Sequence, residues 1–147
     1  MTESEAEAFV ARFEAAWAGR DSQAFLDLWH PDGELHSPFY DRVILGHELG
    51  ALNEFQRAAV PHLVWTLTGW TWRGDTLVVE WENSNRYGER VVSWRGVDRF
   101  RLRDGRIVEE VVYADTARLR GLSSGAPVEP LLRFPTSGRS AKAESVE

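Results

Sequence analysis

The sequence predicts an α+β domain: a cone-shaped α+β barrel in which three N-terminal helices pack on a curved, mostly antiparallel sheet. Apolar residues recur at helical spacing through roughly the first 59 residues. From residue 62 they alternate and are rich in Thr, Val and Trp, which favours strands. Helices followed by an antiparallel meander define the α+β class. A sheet curved around helices leaves one open mouth, where a small-molecule pocket can form.

Three helices are predicted in the first half of the chain. Ser4-x-x-Glu7 has the pattern of a capping box for a first helix that stops at Gly19. Asp21 can cap a short second helix that ends at His30-Pro31, because proline disfavours helix in the residue before it. A third helix is expected from about Gly46 to Ala59. The expected core-facing residues are Phe9, Val10, Phe13, Ala16 and Trp17, then Phe25, Leu28 and Trp29, then Leu49, Leu52, Phe55 and Ala59.

Five strands are predicted around and after the third helix. One short strand covers residues 34–37, and a four-strand meander covers 62–72, 76–83, 90–102 and 106–113. Asp104-Gly105 is a strong hairpin turn between the last two. From Gly121 the chain is rich in Gly, Ser, Pro and Ala, so we expect a domain at residues 1–120 and a mostly disordered tail at 121–147.

Composition excludes several classes of function. The net charge of −6 argues against a nucleic-acid groove, which needs concentrated positive charge. The absence of cysteine excludes disulfides, thiolate metal sites and a cysteine nucleophile. MTESEAEA lacks a secretory pattern, and no apolar run approaches the roughly 20 residues of a membrane span. A cytoplasmic protein without membrane or nucleic-acid partners is the expectation.

Asp98 is the residue that most strongly suggests chemistry. In the strand 90–102 it alternates with Trp94 and Phe100, so it is predicted to lie on the apolar face. Burial raises the pKa of an unpaired carboxyl group, which can then act as a general acid or oxyanion donor near neutral pH. The structural alternative is an Asp hydrogen-bonded to a core Trp, Tyr or Arg.

Asp115 and Tyr113 lie at the end of the last predicted strand. A carboxylate beside a cavity mouth could move a proton. Alternatively, Asp115 could cap a helix beginning at Thr116. Tyr113 shares its face by strand alternation and could donate a hydrogen bond to a ligand oxygen, or could be a core aromatic residue with its hydroxyl at the rim.

The remaining candidate ligand contacts are aromatic or lie near the first strand. His36 sits in that strand, and Tyr40 and Asp41 follow it in a loop. None of the four histidines has metal-ligand spacing, so neither a metal nor another cofactor is expected. The predicted pocket walls favour a small apolar or aromatic ligand; they are Trp17, Trp65, Trp81 and Trp94.

Two segments carry a family resemblance. FVARFEAAWAGRDSQAFLDLWHPDGELHSP (residues 9–38) is similar to the opening of the nuclear transport factor 2-like superfamily, and VDRFRLRDGRIVEEVVYAD (97–115) is similar to its close. Within that superfamily, the chain most resembles the SnoaL-like group, which contains polyketide cyclases, over roughly residues 5–120. The resemblance implies the cone-shaped fold and often a homodimer through the outer sheet face.

The resemblance also implies roles for individual positions. Asp98 matches the place where ketosteroid isomerases keep a protonated Asp that donates to the substrate oxyanion. Asp115 matches the acid/base Asp of the cyclases. Phe13 stands where the isomerases have Tyr, and Ser37-Pro38 stands where they have their Asp-Pro base. These departures argue against steroid isomerisation and leave Asp41 as the only nearby carboxylate that could replace the base.

The leading hypothesis is a cofactor-independent acid/base enzyme of the cyclase, isomerase or dehydratase (lyase) type, acting on an apolar cyclic oxygenated substrate. Asp98 would stabilise or protonate an enolate-like oxygen, and Asp115 would move the proton. One alternative is a non-catalytic ligand-binding or dimerisation module. A weaker one is an epoxide hydrolase, which needs an Arg inside the pocket.

Overall fold

The computed structural model describes residues 1–19 and 21–124, so most of the predicted tail lies outside the described residues. The helices are α1 (Glu3–Ala18), α2 (Ser22–Leu26), α3 (Leu49–Ala59) and α4 (Ala117–Ser124), with a 3₁₀ turn at Gly46–Glu48 before α3. α4 continues through Gly121, where the tail was predicted to begin. No helix in the described ranges is long and apolar enough to cross a membrane.

Capping and burial agree with most of the helix predictions. Asp21 caps α2 by accepting a hydrogen bond from the Gln23 backbone N–H at 2.9 Å. The capping box of α1 uses Thr2 and Glu5 rather than the predicted Ser4 and Glu7, because Thr2 has the extended backbone of a cap. The apolar stripe of α1 is buried as predicted, with Trp17 only partly so.

The predicted inner face of α3 was wrong at Phe55 and Ala59. Ala59 is exposed and Phe55 is 65% exposed, whereas Asn53 is 3% exposed. Leu49 and Asn53, four residues apart, share the face that packs on α2, where Asn53 Oδ1 accepts from the Ser22 hydroxyl at 3.3 Å. That rotation leaves Phe55 beside the cavity described below.

Six strands form one sheet in the order β2-β1-β6-β5-β4-β3. All neighbours are antiparallel except β1 and β6, which confirms a mostly antiparallel sheet. β1 starts five residues earlier than predicted and includes Pro31, which the irregular pairing between Trp29 and Glu34 accommodates. The strand bounds are β1 Trp29–His36, β2 Ile44–Leu45, β3 Val64–Arg73, β4 Thr76–Tyr87, β5 Arg90–Arg103 and β6 Arg106–Ala114.

A β-bulge in β6 decides which of its side chains face inward. Ile107 pairs with Leu102 and Glu109 pairs with Arg101, so Val108 has no partner in the register. One extra residue moves every later side chain to the opposite face. Glu110 is therefore buried, and Tyr113 points outward with 58% of its surface exposed.

The core fills the space between α1 and the inner face of the sheet. Phe100 is fully buried and meets the rings of Phe13 at 5.1 Å and Phe9 at 5.5 Å, both edge to face. Going back along β5 from Phe100, the inward positions Asp98 and Trp94 border open space instead of core. The aromatic core therefore closes one end of the cone and leaves the other end for a site.

Candidate active site: a carboxyl pair in an apolar cavity

A cavity of about 310 Å³ lies between α3 and the inner face of strands β3 to β6. Most of its wall is apolar or aromatic. Four predicted wall residues line it, namely Trp17, Trp65, Trp81 and Trp94, and so does Tyr40. Trp17 and Trp65 stack with ring centroids 5.8 Å apart and planes 7° from parallel, which makes a flat aromatic surface.

Two carboxyl groups face this cavity. Asp98 is 3% exposed and Glu110 is 7% exposed, and both line the wall. Asp98 pairs with Val112 and Phe100 pairs with Glu110, so the two acids are diagonal neighbours on the inner face. Among the described residues that line the cavity, none is Lys, Arg or His. The acids therefore face each other and apolar walls without a cationic partner.

Burial keeps both acids protonated at pH values where ordinary carboxyl groups are ionised. Desolvation raises the pKa of Asp98 to about 7, and interaction with the Trp81 indole N–H acts weakly in the opposite direction. That contact falls short of hydrogen-bond geometry, because neither Oδ1 of Asp98 nor Nε1 of Trp81 has a hydrogen-bond partner among the described residues. Desolvation, and then the charge of Asp98, raise the pKa of Glu110 well above its usual value.

Tyr40 adds a hydroxyl group beside the acid pair. Gln56 on α3 donates a hydrogen bond from Nε2 to the Tyr40 oxygen. Burial raises the Tyr40 pKa to about 12; the Gln56 bond opposes that shift, and the charge of Glu110 adds to it. The phenol therefore stays protonated, and its O–H can donate to Glu110 or to a ligand oxygen.

Several buried polar atoms around the cavity lack partners. Oδ1 of Asn83 and the indole N–H groups of Trp17, Trp81 and Trp94 make no hydrogen bond within the described part of the chain. Buried polar atoms in native proteins are normally paired with protein or water. A molecule with both flat apolar surface and polar atoms would find partners for them here.

Four predicted site residues lie away from the cavity wall. Tyr113 and Asp115 are exposed on the outer side, because the β6 bulge turns their shared face outward. Asp115 accepts a hydrogen bond from the Ala117 backbone N–H at 3.0 Å. This agrees with the alternative prediction that Asp115 caps the helix that follows it. His36 Nε2 lies 3.1 Å from Glu34 Oε2, outside the cavity lining, and Asp41 is exposed next to Tyr40.

Glu110 is the site residue that the sequence analysis missed. Alternation counted back from Tyr113, or forward from Ile107, gives the wrong face, because a single unpaired residue is invisible in the sequence. One signal was available: Glu109 and Glu110 are consecutive in a strand, so one of them must face inward. Glu109 faces outward and pairs with Arg99 at 2.9 Å.

Comparison with known proteins identifies the class to which this site belongs. Residues 10–110 match the SnoaL-like domain family, and the chain belongs to that family. No curated protein sequence matches it significantly. Within residues 1–19 and 21–124, no group of three or more His, Asp or Glu side chains is arranged to hold a metal ion.

Solved structures confirm the nuclear transport factor 2-like fold at low identity. AclR from Streptomyces galilaeus, a candidate hydroxylase, has a TM-score of 0.71 at 21% identity and covers 88% of this chain and 87% of its own. A candidate SnoaL-like polyketide cyclase from Jannaschia sp. CCS1 has a TM-score of 0.71 at 20% identity; the match covers 85% of this chain and 95% of the cyclase. IdmH from Streptomyces antibioticus, a candidate polyketide cyclase, has a TM-score of 0.69 at 20% identity; the match covers 80% of this chain and 98% of IdmH.

Proposed function

We propose that this SnoaL-like protein is a cofactor-independent acid/base catalyst acting on a small, largely apolar, cyclic oxygenated substrate. The observation that carries the proposal is the Asp98–Glu110 pair, buried and without a cationic partner in one ligand-sized cavity. Two carboxyl groups so close in a low-dielectric site do not both ionise near neutral pH, so the pair holds one proton and one base. That combination suits proton abstraction next to a carbonyl group.

The neighbours of the two acids assign the two roles. Interaction with the Trp81 indole N–H favours the ionised form of Asp98, whereas burial, and then the charge of Asp98, raise the pKa of Glu110 and keep it protonated. Ionised Asp98 then takes a proton from the carbon next to the substrate carbonyl; the C–H electron pair forms a C=C bond, and the C=O π pair moves onto the oxygen. Protonated Glu110, with the Tyr40 O–H, donates to that enolate oxygen. Asp98 thus acts as the base, whereas the sequence-based hypothesis had it as the oxygen-side donor.

The walls favour a flat cyclic substrate. The Trp17–Trp65 stack offers a planar surface, and an apolar cavity of about 310 Å³ holds a compact ring system. Candidate polyketide cyclases among the structural neighbours agree with a polyketide-like substrate. Cyclisation, isomerisation and dehydration all pass through an enolate, so one test covers all three reaction types. The epoxide-hydrolase alternative gains no support, because none of the described cavity-lining residues is an Arg.

Hydrogen exchange into cyclic ketones tests the proposal directly. Wild-type protein in D₂O should speed deuterium uptake next to the carbonyl of one or more ketones in a panel such as 2-tetralone and 1-indanone, followed by NMR. Asp98→Asn should slow that exchange about 100-fold or more, the usual contribution of a general base. Asp115→Ala should retain it, because Asp115 lies outside the cavity.

Two outcomes would count against this assignment. A wild type that accelerates exchange in no member of the panel would favour the non-catalytic binding module. An Asp115→Ala protein as slow as Asp98→Asn would return the second catalytic role to Asp115.

We also propose a homodimer through the outer sheet face. Val91 and Tyr113 are 67% and 58% exposed there, and the Arg95–Glu82 ion pair at 2.8 Å lies on the same face. Exposed aromatic and apolar side chains among charged residues are typical of such a contact. Sedimentation should show twice the chain mass for wild type and a shift toward monomer for Tyr113→Glu. A wild-type monomer at tens of micromolar would reject the dimer.

A further inference from the structure

A second recess, of about 470 Å³, adjoins the acid cavity near the end of α1 and along α3. The two spaces share five wall residues, so they border each other at the Trp17–Trp65 stack; the shared residues are Trp17, Gln56, Val60, Leu63 and Trp65. A ligand that occupied both spaces would be longer than one ring system.

Arg57 gives the recess a different chemistry from the cavity. It follows Gln56 on α3 and lines the recess only. Its Nη2 atom is buried and has no hydrogen-bond partner, and no ion pair found among the described residues includes this guanidinium. Arg57 as a whole is only half-buried, so the unmet need is local to Nη2. A guanidinium has only donors, and a buried N–H donor without an acceptor is unfavourable.

The other features of the recess also favour a negative group. Trp17 lines the recess as well as the cavity, and its indole N–H lacks a partner among the described residues. No Asp or Glu is among the described residues that line it. The acids lie in one space and the unpaired cation in the other, so the two ends of the site differ in charge.

We propose that Arg57, with the Trp17 indole N–H, forms a subsite for a carboxylate or similar oxyanion at one end of the substrate. The planar guanidinium fork binds carboxylates through two parallel hydrogen bonds. The ring body would pass the aromatic stack and reach Asp98 and Glu110. The subsite extends the proposed function: the substrate class becomes cyclic acids, and anchoring the acid end fixes which carbon faces the base.

Matched probes test the subsite without a known substrate. Isothermal calorimetry would compare 2-naphthoate with 2-naphthamide, which have the same ring and differ in charge. Wild type should bind naphthoate at least tenfold more tightly than naphthamide. Arg57→Gln should reduce that ratio to within about twofold by weakening naphthoate alone, and Arg57→Lys should keep part of it. Arg95→Gln removes an equal charge from the outer face, where Arg95 pairs with Glu82, and should leave the ratio unchanged.

Other results overturn the subsite. Equal wild-type affinities, no binding of naphthoate, or equal weakening of both probes by Arg57→Gln would each do so. If a thermal melt shows that Arg57→Gln folds poorly, the ratio of naphthoate to naphthamide affinity in wild type and in Arg57→Lys still tests the subsite. Asp98→Asn should retain the naphthoate preference. A protein with that preference but no ketone exchange would keep the subsite and lose the proposed catalysis.

Discussion

The free energy of unfolding of the wild type should fall as pH rises from 4 to 8, by roughly 4 kcal/mol from Asp98 alone. The pKa of this buried acid is about 7 in the folded protein, above the ordinary value that it has when unfolded. The folded state therefore holds a proton that the unfolded state has released. Stability from this group is fully present below the unfolded pKa and is lost as pH rises through about 7. Glu110, whose pKa is also raised well above its usual value by burial, adds to this loss.

Urea unfolding at several pH values checks this expectation. Asp98→Asn keeps the shape of the side chain and removes its titration, so the curve of stability against pH should become flatter and the variant should exceed wild type at pH 8. Glu110→Gln should act in the same direction. If the curves of stability against pH for wild type and Asp98→Asn are parallel between pH 4 and 8, Asp98 titrates normally. Asp98 and Glu110 would then not form a pair of acids with raised pKa.

Gly96→Ala should destabilise the protein by about 3 kcal/mol, at the upper end of the range for overpacked interiors. A Cβ atom at this position would lie 2.5 Å from Cη2 of Trp81 and 2.8 Å from the Tyr113 carbonyl oxygen. Trp81 pairs directly with Gly96 across the two strands and is almost fully buried. Its ring must therefore move into the cavity or the strands must separate. Loss of the Trp81 contact should also raise the pKa of Asp98, visible by carbon-13 NMR of the carboxyl group.

Gly50→Ala is the matched control. Gly50 is the second residue of α3, and an added Cβ would meet only ordinary contacts at 3.8 Å with Leu26 and the Ser22 carbonyl. Alanine in a helix is favoured over glycine, so stability should stay the same or rise by up to about 1 kcal/mol. A Gly96→Ala protein as stable as Gly50→Ala would show that the Trp81 ring has room to move.

The instability at high pH and the proposed catalysis share one cause. An isolated carboxyl group in apolar surroundings destabilises the fold when it ionises, and the same surroundings make it a base at neutral pH. Replacing both acids with amides should give a protein that is more stable at pH 8 and inactive in ketone exchange. Such a trade-off is common where a site depends on an unpaired buried charge.

The sequence alone determined the fold class, the helix order and the inward position of Asp98. These features depend on local regularities: β5 keeps its alternation from Arg90 through Arg101, and Asp21 occupies a capping position whose geometry needs only the next two residues. The tryptophan walls followed from the same alternation and the helical stripe of α1.

The tertiary structure alone decided which second acid joins Asp98. The bulge at Val108 lies where β6 pairs with β5 on one side and with β1 on the other, and β1 is far from β6 in the chain. It turns Glu110 inward and carries Asp115 outward. Whether a buried acid or Arg57 has a hydrogen-bond or ion-pair partner likewise depends on which residues pack against it. The spacing of residues along the chain does not predict those contacts.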